Sequence, residues 1–228
     1  MKDTQIWTSE SDAYTQRAVE QFGVEDLYKT NPLLADEWPT RLNRYHPSIE
    51  SVCDIGCGYG LFIHQFLEHY PKAHFWGVDP GEASLAMARQ HIPSDRVTFT
   101  LGHSHELPVP SDSCDLVVFN MVLQWIPRAM LLRTFAEVDR ILKDGGLIFI
   151  QDFLPHRPLS SVSRHNDAVR IFKNDYPALM CSVPWFHEVD RRVSRIDEGE
   201  SMQRLVSIVR KAPIKDVYLD VVGAVEKH

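Results

Sequence analysis

The amino-acid sequence predicts an α/β protein built on a doubly wound, mostly parallel sheet. Apolar β-like runs alternate with amphipathic helical runs between about residues 50 and 152, and this alternation places helices on both faces of a parallel sheet. The first β-like run contains an acidic residue near its end and enters a glycine-rich turn, SVCDIGCGYG at 51–60. A strand that leads into such a turn and then a helix is typical of a ligand site at the carboxyl end of the sheet.

Residues 1–46 precede the first strand and are predicted to form a helical cap. Trp7, Tyr14, Phe22, Trp38 and Tyr45 are interleaved with polar residues in this segment. The pattern predicts short helices that pack across the mouth of the ligand site. It is equally typical of a cap that only completes the core.

The segment 47–153 is predicted to hold the ligand-binding core. After the glycine turn, apolar residues recur at helical spacing until Pro71, and further helices are predicted over 81–91 and 129–142. The remaining core strands are predicted at HFWGVDP (74–80), RVTFTLG (96–102), DLVVFN (115–120) and GGLIFIQD (145–152).

Two further segments complete the predicted organisation. Residues 154–184 follow the fifth strand and contain four prolines. About thirty residues is long for a simple connection, so this insertion is predicted to be a substrate lid. Residues 185–228 contain β-like runs at 185–193, 204–209 and 216–225. The last of these runs is also compatible with a terminal helix.

Length and composition indicate a single domain spanning residues 1–228, with 44% hydrophobic residues available for a core. No run of about 18 apolar residues is present to span a membrane, and the N-terminus lacks a secretory signal pattern. The four cysteines include no CxxC pair, which favours a cytoplasmic location. The net charge of −7 argues against a nucleic-acid substrate, and the eleven histidines show no metal-ligand spacing.

The glycine spacing distinguishes two kinds of nucleotide-binding turn. A dinucleotide turn needs a third small residue five positions after the first glycine, but that position is Leu61 and the third glycine comes early, at Gly60. The run DIGCGYG at 54–60 resembles the first motif of class I S-adenosylmethionine-dependent methyltransferases. The strand ending at Asp79 follows at the spacing of one βαβ unit.

The resemblance covers about residues 50–152 and implies the Rossmann-like methyltransferase fold. This fold is a seven-stranded sheet that closes with an antiparallel hairpin, which two of the three C-terminal β-like runs would form. The cofactor implied is S-adenosylmethionine, with S-adenosylhomocysteine as the product.

The resemblance also implies where the methionine and ribose parts of the cofactor bind. The turn beneath the methionine part would be lined by Gly56, Gly58 and Gly60. Asp54 would support this turn and favour the ammonium group of the cofactor. Asp79, with Pro80 beside it, would accept hydrogen bonds from the ribose hydroxyls.

The adenine and methyl ends of the cofactor are less clearly marked. His103 stands where related enzymes often carry an acidic residue that reaches the adenine amino group. Ser104 or backbone atoms would then replace the missing carboxylate. Asn120, at the end of the fourth strand, is implied to face the reacting centre. It is not followed by the Pro-Pro-aromatic sequence of adenine and cytosine amino-methylases.

Methyl transfer needs a general base only when the acceptor carries a proton that must leave. The predicted proton acceptors are Asp152 at the end of the fifth strand and His156 and His165 in the insertion. No metal site is predicted.

The predicted function is methyl transfer to an oxygen or nitrogen of a small-molecule acceptor, with no membrane partner. A tRNA or protein acceptor stays open as an alternative. Two alternative functions come from other classes of protein. An NAD-dependent oxidoreductase is disfavoured by Leu61 and the crowded glycines, and a non-catalytic partner subunit is disfavoured by the intact acidic residues.

Overall fold

The computed structural model describes residues 2–29, 37–163, 166–195 and 202–217. Its described strands, in chain order, are β1 (Ser51–Ile55), β2 (His74–Asp79), β3 (Val97–Leu101), β4 (Cys114–Asn120), β5 (Leu142–Pro155), β6 (Leu159–Val162), β7 (Arg170–Lys173), β8 (Phe186–Arg195) and β9 (Met202–Lys211). The helices are α1 (Lys2–Phe22), α2 (Val24–Leu27), α3 (Glu37–Tyr45), α4 (Leu61–Phe66), α5 (Glu82–His91), α6 (Arg128–Ile141), α7 (Tyr176–Met180) and α8 (Ile214–Val217).

The main sheet has seven strands in the order β3-β2-β1-β4-β5-β9-β8. The first five strands of the chain pair in parallel, and β9 pairs antiparallel with both β5 and β8. The strand order reverses between β1 and β4, which makes the carboxyl ends of these two strands a switch point where ligands bind in such sheets. The predicted fold class and the closing hairpin are therefore confirmed.

Two apolar cores flank the sheet, because every residue of a central parallel strand is buried. One core contains Phe62, Ile63 and Phe66 of α4 together with Trp38 and Leu42 of α3. The other contains residues of α6 and α7. Alternate residues of each strand point into the two cores, so strand position decides which face a polar side chain occupies.

The first helix differs from the sequence prediction. α1 is one helix of 21 residues where short helices were predicted. It docks on α5 through polar contacts: the Thr15 Oγ1 lies 2.7 Å from the Ser84 Oγ, and the backbone N–H of Ser84 donates to the Asp12 carboxylate at 3.1 Å. A Cβ at Gly81 would lie 2.5 Å from the Asp12 Oδ1, so this glycine permits the close approach.

The predicted insertion and the C-terminal β-like runs form identifiable strands and helices. The β6–β7 hairpin and α7 occupy most of residues 154–184, and Tyr176 and Met180 of α7 are buried in the core on the α6 side. The runs predicted at 185–193 and 204–209 are β8 and β9. Helix α8 covers the start of the third run, whose remainder lies outside the described residues. No helix in the described ranges has the length and apolar character needed to cross a membrane.

Candidate active site

Strand register places five polar side chains in one row at the carboxyl end of the sheet. They are Asp79 on β2, Asp54 on β1, Asn120 on β4, Gln151 on β5 and Arg204 on β9. All five side chains lie on the face that packs against α4. Each is an even number of residues away from a residue of its own strand that belongs to the core on that face. Their strands are adjacent in the sheet, so the row is continuous.

A cavity of about 610 Å³ opens along this row, within the size range of small-ligand sites. Its polar wall contains Glu10, Ser11, Asp54, Asp79, His103, Ser104, His105, Asn120, Gln124, Gln151 and Arg204. Its apolar wall includes Trp7, Tyr14, Phe22, Trp125, Ile126, Met130 and Phe153. The cap predicted at residues 1–46 therefore contributes to the cavity through α1.

The glycine turn is fixed to the end of β2. The backbone N–H of Gly56 donates to the Val78 carbonyl at 2.7 Å, and that of Gly58 donates to the Asp79 carboxylate at 2.8 Å. Gly56 and Gly58 have φ values of 72° and 54°, which glycine adopts at little cost. Both line the cavity. A Cβ at Gly58 would meet no atom within 4 Å, so the backbone is open to a ligand at that point.

Gly60 lies in a different environment from Gly56 and Gly58. It caps the N-terminus of α4 with φ of 81°, and it is absent from the described wall of the cavity. A Cβ there would lie 2.7 Å from the Ile92 Cδ1 and 3.2 Å from the Phe99 Cζ. The structure therefore assigns Gly60 to packing between α4, α5 and β3, while the other two glycines line the site.

Asp79 connects the turn, α5 and α1. Its carboxylate is 3% exposed and accepts hydrogen bonds from the backbone N–H groups of Gly58 and Gly81, each at 2.8 Å. The Ser11 hydroxyl of α1 donates to the same carboxylate. Burial raises the pKa of Asp79, and the three hydrogen bonds act in the opposite direction. Pro80 also lines the cavity.

Four buried polar atoms of the row lack a hydrogen-bond partner among the described residues: Asp54 Oδ1, Asn120 Oδ1, Gln151 Oε1 and Arg204 Nε. Such groups are uncommon in folded proteins and mark places where a ligand or water completes the network. Burial, followed by the charge of Asp79, raises the pKa of Asp54 to about 8. Without a ligand, Asp54 therefore carries its proton at neutral pH.

His103 and Ser104 form the wall on the β3 side. The rings of His103 and His105 stack with centroids 5.6 Å apart, and burial lowers the pKa of His103. The Ser104 Oγ lies 2.9 Å from the Thr134 Oγ1 of α6. The hydroxyl is thus positioned by α6 while it still borders the cavity.

The structure does not gather the predicted proton acceptors in the cavity. Asp152 points to the opposite face from Gln151, and its carboxylate accepts from the backbone N–H groups of Phe153 at 2.7 Å and Gln124 at 3.1 Å. Burial raises the pKa of Asp152 to about 7. His156 is exposed beyond β5, and His165 lies outside the described residues. Neither Asp152 nor His156 belongs to the described cavity wall, and the catalytic roles stay predictions.

Sequence reasoning missed Ser11, Gln151 and Arg204 of the cavity wall. No local motif marks these residues: Gln151 and Arg204 reach the cavity through strand pairing, and Ser11 reaches it through the docking of α1 against α5. Among the described residues, no group of three or more histidine, cysteine or acidic side chains is arranged to hold a metal ion.

Comparison with known proteins bears directly on this arrangement. The model of a family described as a methyltransferase domain matches residues 52–146, which span the glycine turn, Asp79 and Asn120. The matched segment is similar to class I S-adenosylmethionine-dependent methyltransferases. The resemblance inferred from the glycine turn is confirmed, and S-adenosylmethionine is the cofactor of this family.

Curated relatives of this methyltransferase domain include a trans-aconitate 2-methyltransferase from Acidovorax sp. (strain JS42). It is 34% identical over 169 residues, covering 71% of this chain and 64% of the relative. A malonyl-[acyl-carrier protein] O-methyltransferase from Hahella chejuensis is 31% identical over 107 residues, covering 46% of this chain and 37% of the relative. The chain thus spans between about a third and two thirds of the length of these relatives.

A solved structure shares the fold of the methyltransferase domain. The 1,6-didemethyltoxoflavin-N1-methyltransferase of Burkholderia thailandensis, with 1,6-didemethyltoxoflavin and S-adenosylhomocysteine bound, superposes with a TM-score of 0.67. The two chains are 19% identical, and the match covers 90% of this chain and 91% of the other.

Proposed function

We propose that the protein transfers a methyl group from S-adenosylmethionine to an oxygen or nitrogen atom of a small-molecule acceptor. The single observation that carries this proposal is the row of side chains at the switch point. At one end of the row, Asp79 and Asp54 adjoin an open glycine backbone. At the other end, Gln151 and Arg204 face a largely apolar space.

The residues at the first end fit the cofactor. Asp54 and Asn120 present buried oxygen atoms that lack partners among the described residues, and the open backbone at Gly58 lets a ligand approach closely. Asp79 would hold the ribose hydroxyls, Asp54 the ammonium group, and His103 and Ser104 would border the adenine. When bound, the cofactor supplies an electrophilic methyl carbon on a sulfonium.

The residues at the second end would align the acceptor and exclude water. Trp125, Ile126, Met130 and Phe153 provide an apolar wall, and an apolar surface against the acceptor favours the aligned approach that an in-line displacement requires. The names of the two curated relatives specify trans-aconitate and malonyl-[acyl-carrier protein]. These names support a small acceptor for the present protein.

Calorimetric titration tests the cofactor part of the proposal. The protein is expected to bind S-adenosylmethionine and S-adenosylhomocysteine at one site per chain, and to show no heat with NAD under the same conditions. An NAD-dependent enzyme would give the reverse pattern. A chain that binds neither ligand would contradict the proposal and support a non-catalytic partner subunit.

Cofactor binding is also expected to release a proton. Asp54 is protonated at pH 7 in the free protein, because burial and the charge of Asp79 raise its pKa to about 8. A bound ammonium group stabilises the ionised carboxylate and lowers this pKa. Affinity should therefore rise with pH from about 6 to about 8, by at most about tenfold per pH unit, and then level off.

Titrations in two buffers with different ionisation enthalpies measure the proton directly. At pH 7, the binding enthalpy of the wild-type protein should differ between the two buffers. The difference should be close to the difference between their ionisation enthalpies, which corresponds to the release of nearly one proton. Asp54→Asn is the matched control because it keeps the shape but cannot ionise. An equal buffer dependence in Asp54→Asn would assign the proton to another group.

A further inference from the structure

Arg204 is the cation at the acceptor end of the row. It lies on β9 opposite Phe153 of β5, and it lines the cavity. Four strand spacings separate β9 from the β2 strand that carries Asp79, a distance of about 19 Å at about 4.8 Å per strand. Arg204 is therefore placed beyond the cofactor residues, on the side where an acceptor would enter.

The guanidinium of Arg204 has no counter-ion in the described parts of the chain. Its Nε is buried without a hydrogen-bond partner, and burial lowers the pKa of the group. Other arginines have partners: Arg41 pairs with Asp190 and Arg140 with Glu137, and Arg96 donates to backbone carbonyls. Arg204 is half-buried, and a buried donor without a partner costs free energy unless a ligand or water completes it.

Two acids of the surrounding elements, Glu10 and Asp152, do not neutralise Arg204. Glu10 lines the cavity, but its two carboxylate oxygens accept hydrogen bonds from Arg17 at 2.6 Å and Asn166 at 3.1 Å. Asp152 is directed to the opposite face of β5, where backbone N–H groups satisfy it. Among the described residues, no carboxylate pairs with Arg204, so its guanidinium is available to an anionic ligand.

The amide of Gln151 supplies a second group for such an anion. Gln151 is 2% exposed, and its Oε1 lacks a partner among the described residues. Rotation of the terminal amide by half a turn presents its NH₂ group at the same position. A planar fork from arginine and an amide N–H together match the two oxygens of a carboxylate.

We propose that the methyl acceptor is a carboxylic acid, that Arg204 and Gln151 bind its carboxylate, and that a carboxylate oxygen receives the methyl group. This inference rests on the proposed function. The product is a methyl ester.

The chemistry of the second end agrees with a carboxylate acceptor. A carboxylate oxygen forms the new O–C bond with an electron pair that it already carries. The S–C bond of the donor breaks, its electron pair stays on sulfur, and the negative and positive charges disappear together. No proton leaves the acceptor, so no general base is required. Around Gln151, Phe153 and Arg204, the described wall places no unengaged carboxylate or imidazole that such a base would need.

The test compares Arg204→Gln with Arg210→Gln. Arg210 lies six residues further along β9, is exposed, and does not belong to the described cavity wall. Glutarate, tricarballylate and phenylacetate are titrated into the complex with S-adenosylhomocysteine, and the corresponding primary amides serve as neutral controls. Transfer of tritiated methyl from S-adenosylmethionine to the same acids is measured as radioactivity released by mild base, which cleaves methyl esters but not methyl ethers or methylamines.

At least one of the acids, and none of the amides, is expected to bind and to give base-labile product. Arg204→Gln should weaken acid binding about 10- to 100-fold, since it removes charge-assisted hydrogen bonds. Arg204→Lys should give an intermediate loss because it keeps the charge without the planar fork. Arg210→Gln should stay within about twofold of the wild type, and all variants should retain their affinity for S-adenosylhomocysteine.

The outcomes separate this inference from the proposed function. Loss of S-adenosylhomocysteine binding in the wild type would overturn the proposed function itself. If the cofactor binds but the amides bind as well as the acids, or none of the acids binds, the carboxylate acceptor is wrong. Unchanged acid binding in Arg204→Gln would remove Arg204 from acceptor recognition.

Discussion

Replacing Asp79 with alanine is expected to lower the affinity for S-adenosylmethionine by at least about 100-fold. Two hydrogen bonds from ribose hydroxyls to a carboxylate contribute about 1.5–3 kcal/mol each, and about 1.4 kcal/mol corresponds to a factor of ten. The same carboxylate holds the backbone N–H of Gly58 at 2.8 Å, so its loss also loosens the turn beneath the methionine part. Calorimetric titration of the purified variant measures the change.

Two control variants separate ribose recognition from general damage. Ser11→Ala removes one donor to Asp79 but leaves the carboxylate, and it should keep the affinity within about threefold. Asp115→Asn alters a buried acid that bonds to the Glu50 N–H and the Ser51 hydroxyl, away from the described cavity wall. It should lower stability without a selective loss of cofactor affinity. If Ser11→Ala weakened binding as much as Asp79→Ala, the carboxylate would act through the docking of α1.

The cofactor end of the site was predictable because its information is local. Asp54, the glycine turn and Asp79 fall within one βαβ unit, and parallel pairing of β1 with β2 brings their carboxyl ends together whatever the rest of the chain does. Asn120 follows from the same rule, as it ends the next paired strand. Asp54, Gly56, Gly58, Asp79 and Asn120 therefore line one cavity, while their roles toward the cofactor stay predictions.

The acceptor end was not predictable because it depends on pairing across long stretches of chain. Arg204 reaches the cavity only through the antiparallel register of β9 with β5, and the sequence left open which two C-terminal runs form the hairpin. At the other end of the row, Ser11 reaches Asp79 only through the docking of α1 against α5. The orientation of Asp152 follows from the length of β5: the strand continues to Pro155, and alternation along it turns Asp152 away from the side of Gln151.

In the N-terminal segment, the residue pattern predicts a helical cap but does not predict the length of its helices. Its interleaved aromatic and polar residues predicted a cap but not its form, because short and long amphipathic helices share the same spacing. The long form of α1 is supported by contacts remote in sequence, in which Asp12 and Thr15 meet Ser84. This docking places Tyr14 and Phe22 on the cavity wall although they are 51% and 54% exposed.

The glycine turn allows the packing and binding functions of the loop to be separated by two matched substitutions. Gly60→Ala is expected to lower the free energy of unfolding by about 2–4 kcal/mol. The left-handed backbone costs about 1–2 kcal/mol for a residue with a Cβ, and overpacking a core adds about 1–3 kcal/mol, with a small offset from the unfolded state. The Cβ would lie 2.7 Å from the Ile92 Cδ1.

Gly58→Ala carries the same kind of backbone strain, with φ of 54°, but its Cβ would meet no described atom within 4 Å. Its loss of stability should be about 1–2 kcal/mol, while its Cβ enters the cavity and lowers cofactor affinity by about tenfold or more. Urea unfolding of the free proteins and calorimetric titration give the two quantities separately. Equal stability losses in the two variants would contradict the packing role of Gly60.

A double substitution tests the contact that Gly60 is proposed to relieve. Ile92→Val removes the Cδ1 atom nearest to the new Cβ and by itself should cost about 0.5–1.5 kcal/mol. If overpacking is the cause, Gly60→Ala combined with Ile92→Val should lose less stability than the sum of the two single losses, because residues in contact are not additive. Strict additivity would instead attribute the loss of stability in Gly60→Ala to backbone strain alone.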